Sequence, residues 1–257
     1  NKLYIEQSFL AARLLKREAA AAELVIWDVG LGAGSNAMAA IHCFENGYAA
    51  QGENALRPLR LVSFERDLDA LTLAVKHSRC FPLLRHGAPF KILEHGAWQH
   101  SSSLLQWKLL KGDFRDLIES AETPDLIFYD PFSYKTDAAL WSPAIFERIF
   151  QLCAPKAVEL YTYSASTAVR TALLTAGFFV AQGAGTGPKS ATTIAFTRAA
   201  AAGAHPASPS LLGQEWLSRW RRSGAKFPPE LSDQDKPYFE SLIESHRQFA
   251  DDFPKSR

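Results

Sequence analysis

Residues Val25 to Asn36 read V-I-W-D-V-G-L-G-A-G-S-N and join a run of strand-forming residues to a glycine-rich turn. Gly30, Gly32 and Gly34 lie in that turn, and small and apolar residues of helical character follow it. Glycine lets the backbone approach a ligand where a Cβ would collide. A helix that starts there directs its unpaired N–H groups at the turn. The stretch therefore predicts a strand, a turn that binds a nucleoside cofactor, and a helix.

Composition limits the classes of protein that this chain can belong to. Its 257 residues are 47% hydrophobic and 21% charged, with a formal net charge of +1. That is enough apolar material for a sizeable core, and the weak net charge supplies no global field that would recruit nucleic acid. No run approaches the ~18 apolar residues of a membrane span, and charges interrupt the N-terminus, so we expect a cytoplasmic protein without membrane contact.

The order of secondary-structure elements predicts the fold class. Strand and helix patterns alternate from Leu24 to Gly177, which indicates a parallel sheet covered by helices on both faces. The last two strands, Phe178–Gln182 and Thr192–Thr197, lack an intervening helix and must form an antiparallel hairpin. We predict an α/β fold with a seven-stranded, mostly parallel, doubly wound sheet, as in Rossmann-like class I methyltransferases. Dinucleotide dehydrogenases usually end fully parallel.

Three domain segments and several local features are predicted from the same pattern. Residues 1–198 form the α/β domain, 199–209 a linker and 210–257 a C-terminal helical extension. A helix is expected over Glu6–Ala22, and the helix after the glycine turn over Ser35–Phe44, followed by a loop to Pro58. Residues 79–103 hold Pro, Gly and Ser breakers and three scattered histidines, which predict a variable surface insert. These histidines lack ligand spacing, so no metal site is expected.

Candidate site residues follow the strands at their carboxyl ends, where open α/β sheets place ligands. Glu65 ends the second strand and can accept both ribose hydroxyls of a nucleoside, although a solvated glutamate is the alternative. Asp113 can accept a hydrogen bond from an adenine amino group or cap a helix. Asp130 opens D-P-F-S-Y, which suits an amine acceptor, with Phe132 and Tyr134 as stacking residues; a surface turn is the alternative. The predicted cofactor-binding residues are Asp28, Gly30, Gly32, Gly34, Asn36, Glu65, Asp113 and Asp130.

Taken together, several blocks resemble one family. They are G-L-G-A-G-S-N, L-V-S-F-E, L-L-K-G-D, D-P-F-S-Y-K-T-D-A-A-L-W, T-Y-S-A-S-T-A-V-R-T-A-L-L-T-A-G-F and G-T-G-P-K. This pattern, over roughly residues 24 to 198, is similar to the methyltransferase domain of the MnmC enzymes. The resemblance implies S-adenosylmethionine as cofactor and methyl transfer to the amine of 5-aminomethyl-2-thiouridine at the tRNA wobble position. Asp130 would orient and deprotonate the amine while Phe132 or Tyr134 stacks on the uracil.

The resemblance also implies partners. The flavin-dependent oxidase domain often fused after this methyltransferase has no counterpart in the sequence, so we expect a stand-alone form and a separate oxidase-domain protein. Lys189 and Arg170 are candidate contacts to tRNA phosphates.

Two further questions stay open at the level of sequence. The run Glu215–Phe227 interleaves Trp216 and Trp220 with basic residues, which suits RNA contact, but a capping helix with its tryptophans packed inward is favoured. The alternative functions are a methyltransferase that acts on another amine, a non-catalytic RNA-binding module built on the same fold, and a nicotinamide-dependent oxidoreductase. An oxidoreductase would share the glycine turn and Glu65. The 31-residue gap from Gly34 to Glu65 exceeds the usual ~20, which counts against it.

Overall fold

The computed structural model describes residues 2–15, 22–133, 136–186, 189–198, 209–251 and 253. The chain divides into two compact units, Asn1–Pro131 and Phe132–Arg257. The predicted linker, apart from residue 209, lies outside the described residues.

The first unit is built on five strands in the spatial order β3-β4-β2-β1-β5. The pairs β1–β2, β1–β5 and β2–β4 are parallel, and β3–β4 is antiparallel. All residues of β1 and β5 are buried, as expected for central strands covered on both faces. The strands are β1 (Leu24–Val29), β2 (Leu59–Glu65), β3 (Ala97–Gln99), β4 (Leu105–Lys111) and β5 (Leu126–Tyr129). The helices are α1 (Leu10–Leu14), α2 (Ser35–Gln51), α3 (Asp69–Lys76), α4 (Gly87–His95) and α5 (Phe114–Leu117).

The second unit contains three strands in the order β6-β8-β7, with both neighbouring pairs antiparallel. The predicted terminal hairpin is confirmed, since β7 pairs with β8 from Phe179↔Phe196 to Thr186↔Lys189. The strands are β6 (Glu159–Thr162), β7 (Phe179–Thr186) and β8 (Lys189–Phe196). The helices are α6 (Pro143–Cys153), α7 (Thr167–Thr175), α8 (Gln214–Arg221) and α9 (Lys236–Glu244).

The C-terminal helical extension is fastened to the free edge of β7. Leu211 forms an antiparallel bridge with Ala181, and the Leu212 N–H donates to Val180 O. The buried Gln248 amide accepts from Val180 N at 2.7 Å and donates to Val180 O at 2.8 Å. Its side chain thereby satisfies the main chain of an edge strand as a neighbouring strand would.

Four local expectations differ from the structure. The helix predicted over Glu6–Ala22 is interrupted at Phe9, whose φ of 52° is left-handed, and residues 16–21 lie outside the described residues. Helix α2 runs on to Gln51 through the expected loop, with Gly47 placed where Leu56 packs. Residues 79–103 contain regular structure: His86 caps α4 by accepting from Ala88 N, and β3 is an eighth strand among the described residues, where seven were expected.

Candidate active site

The glycine turn joins β1 to α2 and contains three residues with positive φ. At Gly30 a Cβ would lie 2.6 Å from Asp130 O, so only glycine permits the close approach of the two strand ends. At Gly32 a Cβ would meet nothing within 4 Å. Gly30 therefore serves backbone packing, whereas Gly32 keeps the open side of the turn accessible to a ligand.

Glu65 lies against this turn at the end of β2. Its Oε2 accepts from the Gly32 N–H at 3.0 Å, and its Oε1 accepts from Arg66 N and Asp67 N at 2.8 and 3.1 Å. The Phe64 carbonyl just before it accepts from Gly30 N at 3.1 Å. These bonds hold the acidic side chain beside the turn, where the sequence predicts the ribose partner.

Asp130 follows β5 and is held by Asn36 at the start of α2. The Asn36 Nδ2 donates to Asp130 Oδ2 at 2.8 Å. The bond joins two residues 94 positions apart and fixes the direction of the Asp130 carboxylate. Asn36, predicted as a cofactor ligand, therefore also acts as a positioning residue for Asp130.

Asp28 lies in β1 with a fully buried side chain, one strand residue before the turn begins. Its Oδ2 accepts from the Ser63 hydroxyl at 2.8 Å, and Ser63 Oγ accepts from Trp107 Nε1 at 2.9 Å. Within the described part of the chain, Asp28 Oδ1 has no hydrogen-bond partner. A buried polar line thus crosses the adjacent strands β1, β2 and β4 below the candidate site.

The environment of Asp28 changes its acidity. Burial raises the pKa of Asp28 to about 7, and the negative charges of Asp130 and Glu65 act in the same direction, while the Ser63 hydrogen bond opposes them. A substantial fraction of this carboxyl group is therefore protonated at neutral pH. The sequence contains a signal for this hydrogen-bonded series: Asp28 and Ser63 are single polar residues within apolar strands, V-I-W-D-V and L-V-S-F. That they pair with each other follows only from the register of β1 and β2.

Asp113 lies after β4 and caps α5. Capping was the alternative to an adenine contact for this residue. Its Oδ1 accepts from Arg115 N and Nε, and its Oδ2 accepts from Arg115 Nη2 at 2.6 Å. These bonds lower the pKa of Asp113. The preceding Gly112 N–H donates to Glu65 O at 2.9 Å, which brings Asp113 to the same edge of the sheet as Glu65. Capping and an adenine contact are compatible, because a carboxylate offers about four lone-pair sites.

Of the three predicted acceptor-site residues, Phe132 belongs to the second unit and is 65% exposed. Its carbonyl accepts from Trp141 Nε1 at 2.7 Å. Trp141 in turn lines a cavity of about 100 Å³ together with Val169, Phe227, Pro228 and other residues. Tyr134 lies outside the described residues.

Several other predicted contacts have different roles. Arg170 is buried, donates to Thr193 Oγ1 and Thr192 O at 3.0 Å each, and has a pKa lowered by burial. Arg170 thereby joins α7 to β8. The expectation that it contacts a tRNA phosphate is wrong, because its guanidinium group is buried against the hairpin. Lys189 is the first residue of β8. Within the described ranges no cluster of three His, Cys, Asp or Glu side chains could hold a metal ion.

The C-terminal basic run, Glu215–Phe227, packs inward. Trp216 and Trp220 are buried, and Trp220 Nε1 donates to Thr171 Oγ1 at 2.8 Å. The tryptophan faces are therefore not available to stack on bases, and the favoured alternative of a capping helix is confirmed.

The residues at the turn fit S-adenosylmethionine. Gly32 leaves open space, Glu65 is a hydrogen-bond acceptor beside it, and the buried Asp28 retains an unpartnered oxygen. A nucleoside that carries an amino acid requires both hydrogen-bond acceptors and N–H donors. The acids at the strand ends supply the acceptors, and the glycine turn and the N-terminus of α2 supply the donors.

Comparison with known proteins agrees with this assignment. A family described as S-adenosyl-L-methionine-dependent methyltransferase matches residues 84–198. The chain is 29% identical over 196 residues to the tRNA 5-methylaminomethyl-2-thiouridine biosynthesis bifunctional protein MnmC of Stutzerimonas stutzeri, covering 72% of this chain and 29% of that protein. It thus spans less than a third of the length of that curated relative.

A solved structure shows the same fold. The crystal structure of MNMC2 from Aquifex aeolicus superposes with a TM-score of 0.61 at 22% identity, covering 96% of this chain and 73% of that one. None of the helices in the described ranges combines the length and hydropathy of a bilayer-spanning segment. The predicted Rossmann-like fold, S-adenosyl-L-methionine as cofactor and the resemblance to the MnmC methyltransferase domain are confirmed, and residues 84–198 match a family of S-adenosyl-L-methionine-dependent methyltransferases.

Proposed function

We propose that the protein methylates the 5-aminomethyl group of the wobble (2-thio)uridine of tRNA. The observation that carries this proposal is Asp130, an acidic side chain oriented by Asn36 at the rim of the cofactor turn. The curated relative, whose name describes biosynthesis of a tRNA 5-methylaminomethyl-2-thiouridine, supports the choice of acceptor.

The chemistry requires a neutral amine beside the methyl donor. When bound at the turn, S-adenosylmethionine would supply a methyl group activated on a sulfonium, and the amine nitrogen would form the new C–N bond as the C–S bond broke. An alkyl ammonium resembles lysine, with a pKa of about 10.4, and has no lone pair until a proton leaves. Asp130 accepts that proton and orients the amine through a charge-assisted hydrogen bond. Phe132 or Tyr134 stacks on the uracil and holds it in place.

Orientation is the main contribution that this chain makes to the rate. Asn36 holds one Asp130 oxygen in place, which reduces the freedom that the carboxylate would lose on meeting the amine. Holding two reacting groups in a near-attack geometry can contribute several kcal/mol to rate enhancement. Glu65, Asp113 and the glycine turn bind the cofactor, with Asp28 supporting the turn from below.

The decisive test is methyl transfer from radiolabelled S-adenosylmethionine to tRNA that carries the 5-aminomethyl group, followed by nucleoside analysis. We expect label in the 5-methylaminomethyl nucleoside. Label in a different nucleoside or a small amine would establish another acceptor and refute the tRNA wobble assignment. Calorimetric titration with S-adenosylhomocysteine and with NAD separately tests the cofactor site, and only the first should bind.

Asp130→Asn tests the proposed base. We expect a fall in kcat of about a hundredfold or more, because a general base typically contributes 10²–10⁴-fold. Asn36→Ala should lower kcat less, and should change the pH profile through the altered acidity of Asp130. If Asp130→Asn keeps the full single-turnover rate and the same pH profile, the role of Asp130 is wrong.

We propose a cytoplasmic location, as expected for an enzyme that acts on tRNA. We also propose that an oxidase domain prepares the 5-aminomethyl substrate.

A further inference from the structure

We propose that residues 76–91 form an RNA-docking surface at the rim of the cofactor turn, which binds the RNA backbone and stacks on unpaired bases. This inference rests on the proposed function in one respect, that the substrate is an RNA. It adds where that RNA is held on the chain.

The charge of this segment is strongly one-sided. Residues 76–91 contain Lys76, Arg79, Arg85 and Lys91, and neither Asp nor Glu occurs among them. The whole chain carries a net charge of only +1, so the positive charge is local. A local cluster of Lys and Arg is the electrostatic footprint of a nucleic-acid surface.

The cations at the start of the segment are available to a polyanion. Lys76 and Arg79 are exposed, and among the described residues neither forms an ion pair with a carboxylate. Lys91 pairs with Glu94 at 3.1 Å, so a carboxylate offsets its charge. The segment therefore offers two cations, Lys76 and Arg79, that a phosphate backbone can neutralise.

Arg85 gives the segment a defined shape. Its Nε and Nη2 donate to Ser78 O and Arg79 O at 3.3 and 2.6 Å, which closes a loop over residues 78–85. Phe81 lies within this closed loop and is 44% exposed, as is Phe90 on α4. Exposed rings among cations are the composition of surfaces that stack on single-stranded bases.

The loop is adjacent to the cofactor turn. A Cβ at Gly34 would lie 3.7 Å from Leu84 Cδ2, and Leu84 is buried while its neighbours Phe81 and Leu83 are exposed. The same short turn therefore packs on the cofactor loop from one side and faces solvent on the other. RNA held on the exposed side lies at the rim of the site where its base must be methylated.

Binding of fluorescein-labelled tRNA, followed by anisotropy across a salt series, tests the cations. We expect Lys76→Ala/Arg79→Ala to weaken binding tenfold or more and to reduce the slope of log K against log salt by about 2. The matched control is Arg219→Ala/Arg221→Ala, which removes two arginines that pair with Glu215 and Glu244. We expect the control to change affinity less than about twofold, since Glu215 and Glu244 beside these arginines offset their attraction for a polyanion.

The aromatic part of the surface is tested by Phe81→Ala/Phe90→Ala. We expect weaker tRNA binding by at least about fivefold with an unchanged salt slope, since stacking does not release counterions. Unchanged affinity in both surface variants overturns the docking surface. A change in sedimentation of the aromatic variant, without a change in tRNA affinity, also overturns it and assigns the patch to self-association.

Two parallel measurements separate this inference from the proposed function. S-adenosylhomocysteine affinity should be unchanged in all the variants, which establishes an intact fold and cofactor site. If the unaltered protein methylates tRNA and the surface variants keep its KM, the docking surface fails alone. If the unaltered protein neither binds nor methylates tRNA, both proposals fail.

Discussion

Residues 76–91 and Glu215–Phe227 look alike in sequence and differ in structure. Each segment carries four Lys or Arg residues interleaved with aromatic side chains. In the C-terminal run the tryptophans are buried and three of the cations pair with Glu215, Glu240 or Glu244. In residues 76–91 the phenylalanines are exposed and one cation pairs with a carboxylate. A basic, aromatic composition therefore does not by itself indicate a binding surface. Packing decides whether the aromatic side chains are buried in the core or exposed to a ligand.

The largest expected difference between the two segments is in stability. Trp220→Ala should lower the free energy of unfolding by about 3–5 kcal/mol, because it empties a buried site and leaves Thr171 without its indole donor. Lys226, whose ammonium lies 4.7 Å from the Trp220 ring, would lose that contact as well. Urea denaturation measures the change. The matched control, Phe81→Ala, should change stability by less than about 0.5 kcal/mol, and equal effects in the two variants would break the comparison.

The stability of the protein, against which the two segments are compared, depends on pH because Asp28 titrates near neutrality. Its pKa is raised to about 7 in the folded protein, against 3.8 ordinarily. The folded state therefore binds this proton more tightly, and its contribution to stability is complete below about pH 4 and is lost as pH rises to 7. The change amounts to about 4 kcal/mol, at about 1.4 kcal/mol per pH unit.

Asp28→Asn removes this titration. We expect the unaltered protein to lose stability relative to the variant between pH 4 and 8, as measured by urea denaturation at several pH values. Ser63→Ala, which removes a hydrogen bond that lowers the pKa of Asp28, should leave the pH dependence in place. Parallel pH profiles for the unaltered protein and Asp28→Asn would contradict the raised pKa.

The smallest effect concerns the ion pairs of the C-terminal run. Arg221→Ala and Glu244→Ala each break one pair with N···O at 2.9 Å between side chains about half exposed. A double-mutant cycle should give a coupling energy of at most about 1 kcal/mol that declines with added salt. A coupling energy well above that value would mean that this run depends on its charges more than on its tryptophans.

Local chemistry made much of the fold predictable. Strand β1 ends at Val29, directly before the predicted glycine turn, because the apolar run ends there. Helix α6 starts at Pro143 after Ser142, whose Oγ accepts from Ile145 N, as a capping serine before proline predicts. The terminal hairpin follows from the lack of a helix between its two strands.

Long-range packing made other parts unpredictable. Helix α2 continues past Phe44 to Gln51, and Leu56, from the segment beyond its end, packs beside Gly47. The end of α4 is set by Gly96 in a left-handed conformation, amid breakers that favour a loop when taken one at a time. In the site, the positions of Gly32 and Glu65 at neighbouring strand ends were predictable, whereas the bond from Asn36 to Asp130 joins residues 94 positions apart.

The sequence by itself determined the strand, the glycine turn, the acids at the strand ends and hence the class of cofactor, because each depends on conformations and side chains close in the chain. The tertiary structure alone decided which basic segment faces solvent, how the Asp130 carboxylate is aimed, and how acidic Asp28 is. Those properties depend on burial and on charges brought together from distant positions, and no local pattern contains them.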